Sequence, residues 1–291
     1  MKNHILIIAA LVSALFASCS SEEDLVQNGT DNLVRITANV SGAQTRAGFT
    51  KNSLTSFGLS ISNPVSSNYT YNNVKVEKSD GVWTPAEKML WHDMKDAVDI
   101  VACAPYSSKY GNLAGVSNLS VRVDEDQESN IDDSDFLVFK SEAFVPKRDL
   151  AADGTLDIEF EHAMCQVKIV VEFSKSSGST LLTSNPISDF KLVGTKLNGT
   201  CDFTVKKPTV KATDSVGNIK CECGQFTAET STTRAKACYN CIVIPQTVDA
   251  ETFGVEFYVS KSKTASDIFM WTSDKAVTLE GGKSYQLDLT L

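Results

Sequence analysis

The sequence predicts an all-β protein, two β-sandwich domains in tandem behind a short removable leader. Three observations predict it. Apolar and polar residues alternate with a two-residue period in one segment after another. Turn-forming residues such as Asn63-Pro64, Ser79-Asp80-Gly81 and Gly111-Asn112 separate those segments. Only Ala86–Lys95 and Asn112–Leu119 leave room for a short helix or helical turn. A hydrophobic content of 42% allows a packed core. The residues after the leader exceed one small core, and two domains of about 130 residues each are the natural division.

The chain begins with a basic pair, Lys2 and His4, then an apolar run from Ile5 to Ala17 and small residues at Ala17-Ser18. A run of about 13 residues falls short of the roughly 20 that span a bilayer, so residues 1–18 read as a secretory signal that is cut away. Cys19 then becomes the first mature residue, followed by the acidic stretch Ser20-Ser21-Glu22-Glu23-Asp24. Leu15-Phe16-Ala17-Ser18-Cys19 resembles a bacterial lipobox, which implies a lipid on Cys19 and a tether to the outer membrane. The acidic run behind it is similar to the surface-export signal of Bacteroides-type lipoproteins. Losing Lys2 with the leader takes the net charge from -9 to -10, and a chain this acidic repels phosphate backbones. Nucleic acid is therefore excluded as a general partner.

Residues 19–32 form a polar tether, and strict alternation starts behind it. Val34, Ile36, Ala38 and Val40 share one face of a predicted strand, with Arg35, Thr37 and Asn39 on the other. Further strands are expected at Phe57–Ile61, Val74–Val76, Val98–Ile100, Val121–Val123 and Asp135–Phe139. The domain boundary is placed in Lys147–Gly154, giving domains at 33–150 and 151–291. The second holds longer alternating runs, Leu156–Phe160 and Cys165–Phe173, then Cys201–Val205, Cys238–Ile244, Val255–Val259, Ile268–Trp271 and Tyr285–Leu291.

Eight cysteines include Cys19, which leaves seven in the mature body. Cys221-Glu-Cys223 and Cys238-Tyr-Asn-Cys241 invite three readings: disulfides, free strand cysteines, or a four-thiolate zinc site. A C-x-C within a strand points both thiols to one face, and an oxidising compartment favours disulfides. Cys221 or Cys223 paired with Cys238 or Cys241 is the first expectation, and no metal is assigned. The acidic loop Asp124-Glu-Asp126-Gln-Glu128, continuing to Asp132, Asp133 and Asp135, lacks the glycine of a calcium loop and reads as solvated. His92 and His162 lie near no nucleophile motif, so no catalytic residue and no cofactor are assigned. Trp83, Trp91 and Trp271 are expected to pack in or beside the cores.

Several pieces in order resemble the fimbrillin family of two-domain pilins. They are Thr45-Arg46-Ala47-Gly48; Trp83-Thr-Pro85 with Trp91 and the run Val98–Tyr106; Asp135–Lys140; Leu156–Ala163 leading into Cys165–Phe173; Ile244-Pro245-Gln246; and the closing Leu279–Tyr285. From the residues alone Arg46 is an exposed loop cation. The resemblance implies two transthyretin-like, Greek-key sandwiches and a cut by an arginine-specific protease between Arg46 and Ala47. That cut would remove the first strand, and a strand of another pilin subunit would fill the groove. Tyr285, Leu287, Leu289 and Leu291 alternate well enough to be a donor strand or the closing strand of the second sandwich. Without a donor extension the subunit would be a tip or accessory one, whereas an anchor would keep its lipid and escape cleavage. The alternative function is a monomeric surface lipoprotein that binds glycans or host protein through its loops.

Overall fold

A computed structural model describes residues 32–42, 48–174, 181–213, 216–262 and 265–291. The described residues are almost entirely strand and turn, the class expected from the alternation. In chain order the first strands are β1 (Arg35–Val40), β2 (Ser56–Ser62), β3 (Tyr71–Ser79), β4 (Val82–Pro85), β5 (Val98–Ala104), β6 (Leu119–Arg122), β7 (Leu137–Phe144) and β8 (Thr155–His162). All but β6 close into a barrel in the order β1-β4-β3-β2-β5-β7-β8. The sequence led to a sandwich here. Closure comes instead from β1, which joins β4 to β8 and so leaves no edge between them.

The later strands are β9 (Cys165–Glu172), β10 (Ile187–Lys196), β11 (Asn198–Asp202), β12 (Thr209–Ala212), β13 (Val216–Lys220), β14 (Glu222–Thr227), β15 (Lys236–Val243), β16 (Gln246–Val248), β17 (Gly254–Ser262), β18 (Ala265–Thr272), β19 (Val277–Leu279) and β20 (Ser284–Thr290). Two four-stranded sheets, β13-β10-β17-β18 and β14-β15-β9-β20, carry most of this half. Phe190 of the first stacks on Tyr239 of the second, with ring centroids 4.0 Å apart and planes 6° from parallel. Face-to-face packing of this kind is what buries the inward residues of a sandwich.

Two hydrophobic cores result. One, inside the barrel, holds Ile36, Phe57, Val76, Trp83, Trp91, Leu156, Ile158 and Phe160. The other holds Val167, Ile169, Phe190, Tyr239, Val255 and Phe257. The border between them is not at residue 150. β6 pairs with β11 of the second half, and β5 serves both cores: Ile100, Ala102 and Ala104 point into the first, Val101 and Cys103 into the second. A strand covered on both faces reads as a continuous apolar run, and Ile-Val-Ala-Cys-Ala is one.

Neither expected helical stretch, Ala86–Lys95 or Asn112–Leu119, is helical. The one α-helical turn among the described residues is α1 (Pro146–Asp149). Proline suits a first helical position, and the Asp149 carboxylate accepts the Val145 N–H at 2.8 Å. Trp83 and Trp91 are buried, while Trp271 on the edge strand β18 keeps 37% of its surface exposed.

Candidate functional site

Cys19, Arg46 and Ala47 lie outside the described residues, and the strand between them is well defined. β1 runs parallel to β8 in register from Arg35 opposite Thr155 to Val40 opposite Phe160. On its other side it meets β4 at a single antiparallel pair, Ile36 opposite Trp83. Bonds beyond the ladder fix its ends: Val34 N–H to Met89 carbonyl at 3.0 Å and Ser41 N–H to Phe160 carbonyl at 2.8 Å. Val34, Ile36 and Ala38 point inward and are buried, as the alternation requires. They roof an aromatic cluster in which Phe57 lies 5.1 Å from both Trp83 and Phe160. Without β1, the backbone edges of β8 and β4 and this apolar floor would be open together.

The chain is held again just past Arg46. Gly48 is buried with φ +97°, and a Cβ there would sit 2.5 Å from Asp135 Oδ2. Only glycine accommodates both the backbone and the approach. Asp135 Oδ2 accepts the Phe49 N–H at 3.0 Å and lies 2.7 Å from His162 Nδ1. The Asp135 side chain is fully buried, which corrects its reading as part of a solvated acidic loop. Sequence reasoning missed this clasp because its members are 86 and 27 residues apart. The only local signal was an Asp at the head of an apolar run, Phe136–Phe139.

Tyr285, Leu287, Leu289 and Leu291 come together on or just past β20. That strand runs parallel to β9 from Ser284 opposite Gln166 to Thr290 opposite Glu172. β20 is the edge of its sheet, and the four side chains are half-buried against the second core. Leu291 N–H donates to the Glu172 carbonyl at 2.9 Å, and Ser174 N–H to that of Leu291 at 2.6 Å.

No disulfide joins the seven described cysteines. Cys221 is buried and Cys223, on the edge strand β14, is exposed. Cys221 precedes β14, at a crossing where its N–H bonds the Phe190 carbonyl of the other sheet at 2.9 Å. The β14 register breaks between Cys223 and Phe226. Burial pushes the Cys201 thiol up to about 12 and raises that of Cys103 as well. Among the described residues no group of three or more His, Cys, Asp or Glu is placed to hold a metal.

The fold and its terminal strands define an all-β protein whose barrel is closed by its own first strand. The fimbrillin-like family model matches residues 43–291, and the chain belongs to that family. The match begins past β1 and just ahead of Arg46. Among solved structures, the chain is similar to a candidate cell adhesion protein from Bacteroides uniformis, with 20% identity and a TM-score of 0.58 over 90% of this chain and 94% of that one. It is also similar to a candidate cell adhesion protein from Bacteroides ovatus, with 16% identity and a TM-score of 0.60 over 89% and 91%. At these identities the likeness is one of fold. No curated protein matches.

Proposed function

We propose that the chain is a structural subunit of a surface fimbria, exported as a lipoprotein through Cys19. An arginine-specific protease cuts between Arg46 and Ala47, and the subunit joins others by strand addition. The observation that carries this reading is the seat of β1: it closes the barrel, yet it is laddered fully to β8 and by one pair to β4. The cut itself leaves β1 in place by its hydrogen bonds, so assembly is an exchange. A donor strand from another subunit takes over the β8 ladder and the sites of Val34, Ile36 and Ala38. The Asp135 clasp holds the chain from Gly48 onward while the segment ahead departs. The lipid on Cys19 leaves with that segment, so the outer membrane is a partner only before cleavage. Host protein or glycan would meet the assembled fibre.

The test is to treat the mature chain with an arginine-specific protease and follow its size. A new N-terminus at Ala47 and an SDS-resistant ladder are expected, and Arg46→Ala should stay monomeric. A wild type that stays monomeric after cleavage at Arg46, or an Arg46→Ala chain that polymerises, defeats the proposal.

A further inference from the structure

The cysteines of the second core fall into a definite arrangement. In the β14–β15 ladder Cys223 stands opposite Tyr239 and Glu222 opposite Asn240, so one step further puts Cys221 opposite Cys241. Both are buried. The Cys221 N–H goes to Phe190 and not to β15, which makes this a non-hydrogen-bonded cross-strand site. Such sites bring Cα atoms to about 4.5 Å with the side chains on the same face. That lies within the roughly 4.4–6.8 Å that a disulfide spans. The Cys241 thiol is pushed well up, first by its hydrogen bond with Cys221 and then by burial.

Cys165, Cys223 and Cys238 are placed less well. Cys165 is opposite Val243, and Cys241 is opposite Val167, so those two cysteines are diagonal neighbours. Diagonal positions are about 7–8 Å apart, beyond easy bridging. Cys165 instead lies 3.3 Å from the Val243 carbonyl, as a donor to it. Cys238 is opposite Val170 on one side and the register break on the other, and Cys223 faces Tyr239 at the exposed rim.

We propose that Cys221 and Cys241 are a disulfide site, oxidised while the protein folds outside the cytoplasm. The oxidant is a small-molecule or protein disulfide. The thiolate of one cysteine attacks its S–S bond, giving a mixed disulfide and releasing one thiolate. The second cysteine's thiolate displaces the other. Two electrons pass to the oxidant, two thiol protons are lost, and the Cys221–Cys241 bond remains. Because both thiols are buried in the finished fold, exchange precedes closure of the core. The bond ties the crossing chain at Cys221 to the centre of the opposite sheet.

The mature chain, refolded with glutathione disulfide as oxidant, provides the test. It is denatured without reductant, blocked with N-ethylmaleimide and digested with trypsin. Further cuts after Glu222 and Tyr239 separate Cys221 from Cys223 and Cys238 from Cys241. A linked species is expected, carrying Cys221 and Cys241 and two hydrogens lighter than its parts, with Cys165, Cys223 and Cys238 as adducts. Recovery of Cys221 and Cys241 as adducts, or either linked elsewhere, overturns the proposal. Reductant should also lower the denaturation midpoint of the wild type and leave that of a Cys221→Ala, Cys241→Ala chain unmoved. An equal drop in both, or in neither, overturns it as well.

Discussion

β1 runs parallel to β8 and β20 runs parallel to β9, so the two ends of the described chain lie beside two halves of one stretch, Thr155–Glu172. β1 has neighbours on both sides and buries Val34, Ile36 and Ala38. β20 has one neighbour, and its Tyr285, Leu287 and Leu289 stay half-buried. A strand inserted between two others completes a core, whereas a strand added to an edge only covers one. The two are therefore unequal as exchange sites. Loss of β1 bares a buried aromatic floor that calls for a replacement strand. Loss of β20 exposes side chains that water already reaches in part.

Deletion separates them most. Burying Val34 and Ile36 is worth about 1.5–3 kcal/mol each, and each ladder bond adds about 1 kcal/mol. Those contributions together approach the whole stability of a domain, about 5–15 kcal/mol. A chain lacking residues 33–42 should therefore lose the cooperative barrel transition seen through Trp83 and Trp91 fluorescence, and a peptide copying 33–41 should restore it. A chain ending at Lys283 should keep that transition. If both deletions cost the same, the contrast between closing and covering strands is wrong.

Single side chains sharpen the same contrast. Ile36→Ala should cost about 2–5 kcal/mol, as for a fully buried aliphatic residue. Leu289→Ala, half-exposed at the edge, should cost less than about 2 kcal/mol, because less apolar surface leaves water there to begin with. Urea midpoints of the two variants decide it, and a larger loss for Leu289→Ala would reverse the ranking.

The alternation of Val34 to Val40 and of Tyr285 to Leu291 was plain in the sequence, since a half-buried strand writes its inward face every second residue. Which strands those segments join was not, because register between parallel strands some 120 residues apart leaves no local trace. Barrel closure was hidden for that reason. So was the clasp of Gly48, Asp135 and His162, whose chemistry exists only after three distant segments meet. β5 was misjudged differently: with each face in a separate core, its run lost the alternation that marks a one-sided strand. The unequal burial of Cys221 and Cys223 was hidden too, because it depends on one lying at a chain crossing and the other on an edge strand.

The smallest effect concerns the support beneath β20. Glu172 on β9 binds Arg234 Nη1 at 2.9 Å and Lys236 Nζ at 2.8 Å, and its backbone carbonyl takes the Leu291 N–H. The Lys236 hydrogen bond, then that from Arg234, holds the Glu172 carboxyl below the ordinary glutamate range. A carboxylate depressed on folding stabilises the fold above its unfolded pKa. That contribution is lost as pH falls through the folded value, below which both states are protonated. The wild type should therefore exceed Glu172→Gln in denaturation midpoint near neutrality, and the gap should close below about pH 4, the ordinary carboxylate range. These charges are solvent-exposed, so salt at about 1 M should shrink the neutral-pH gap too. A gap constant from neutral to acid pH would mean that Glu172 supports β9 and β20 by packing its methylenes and not by its charge.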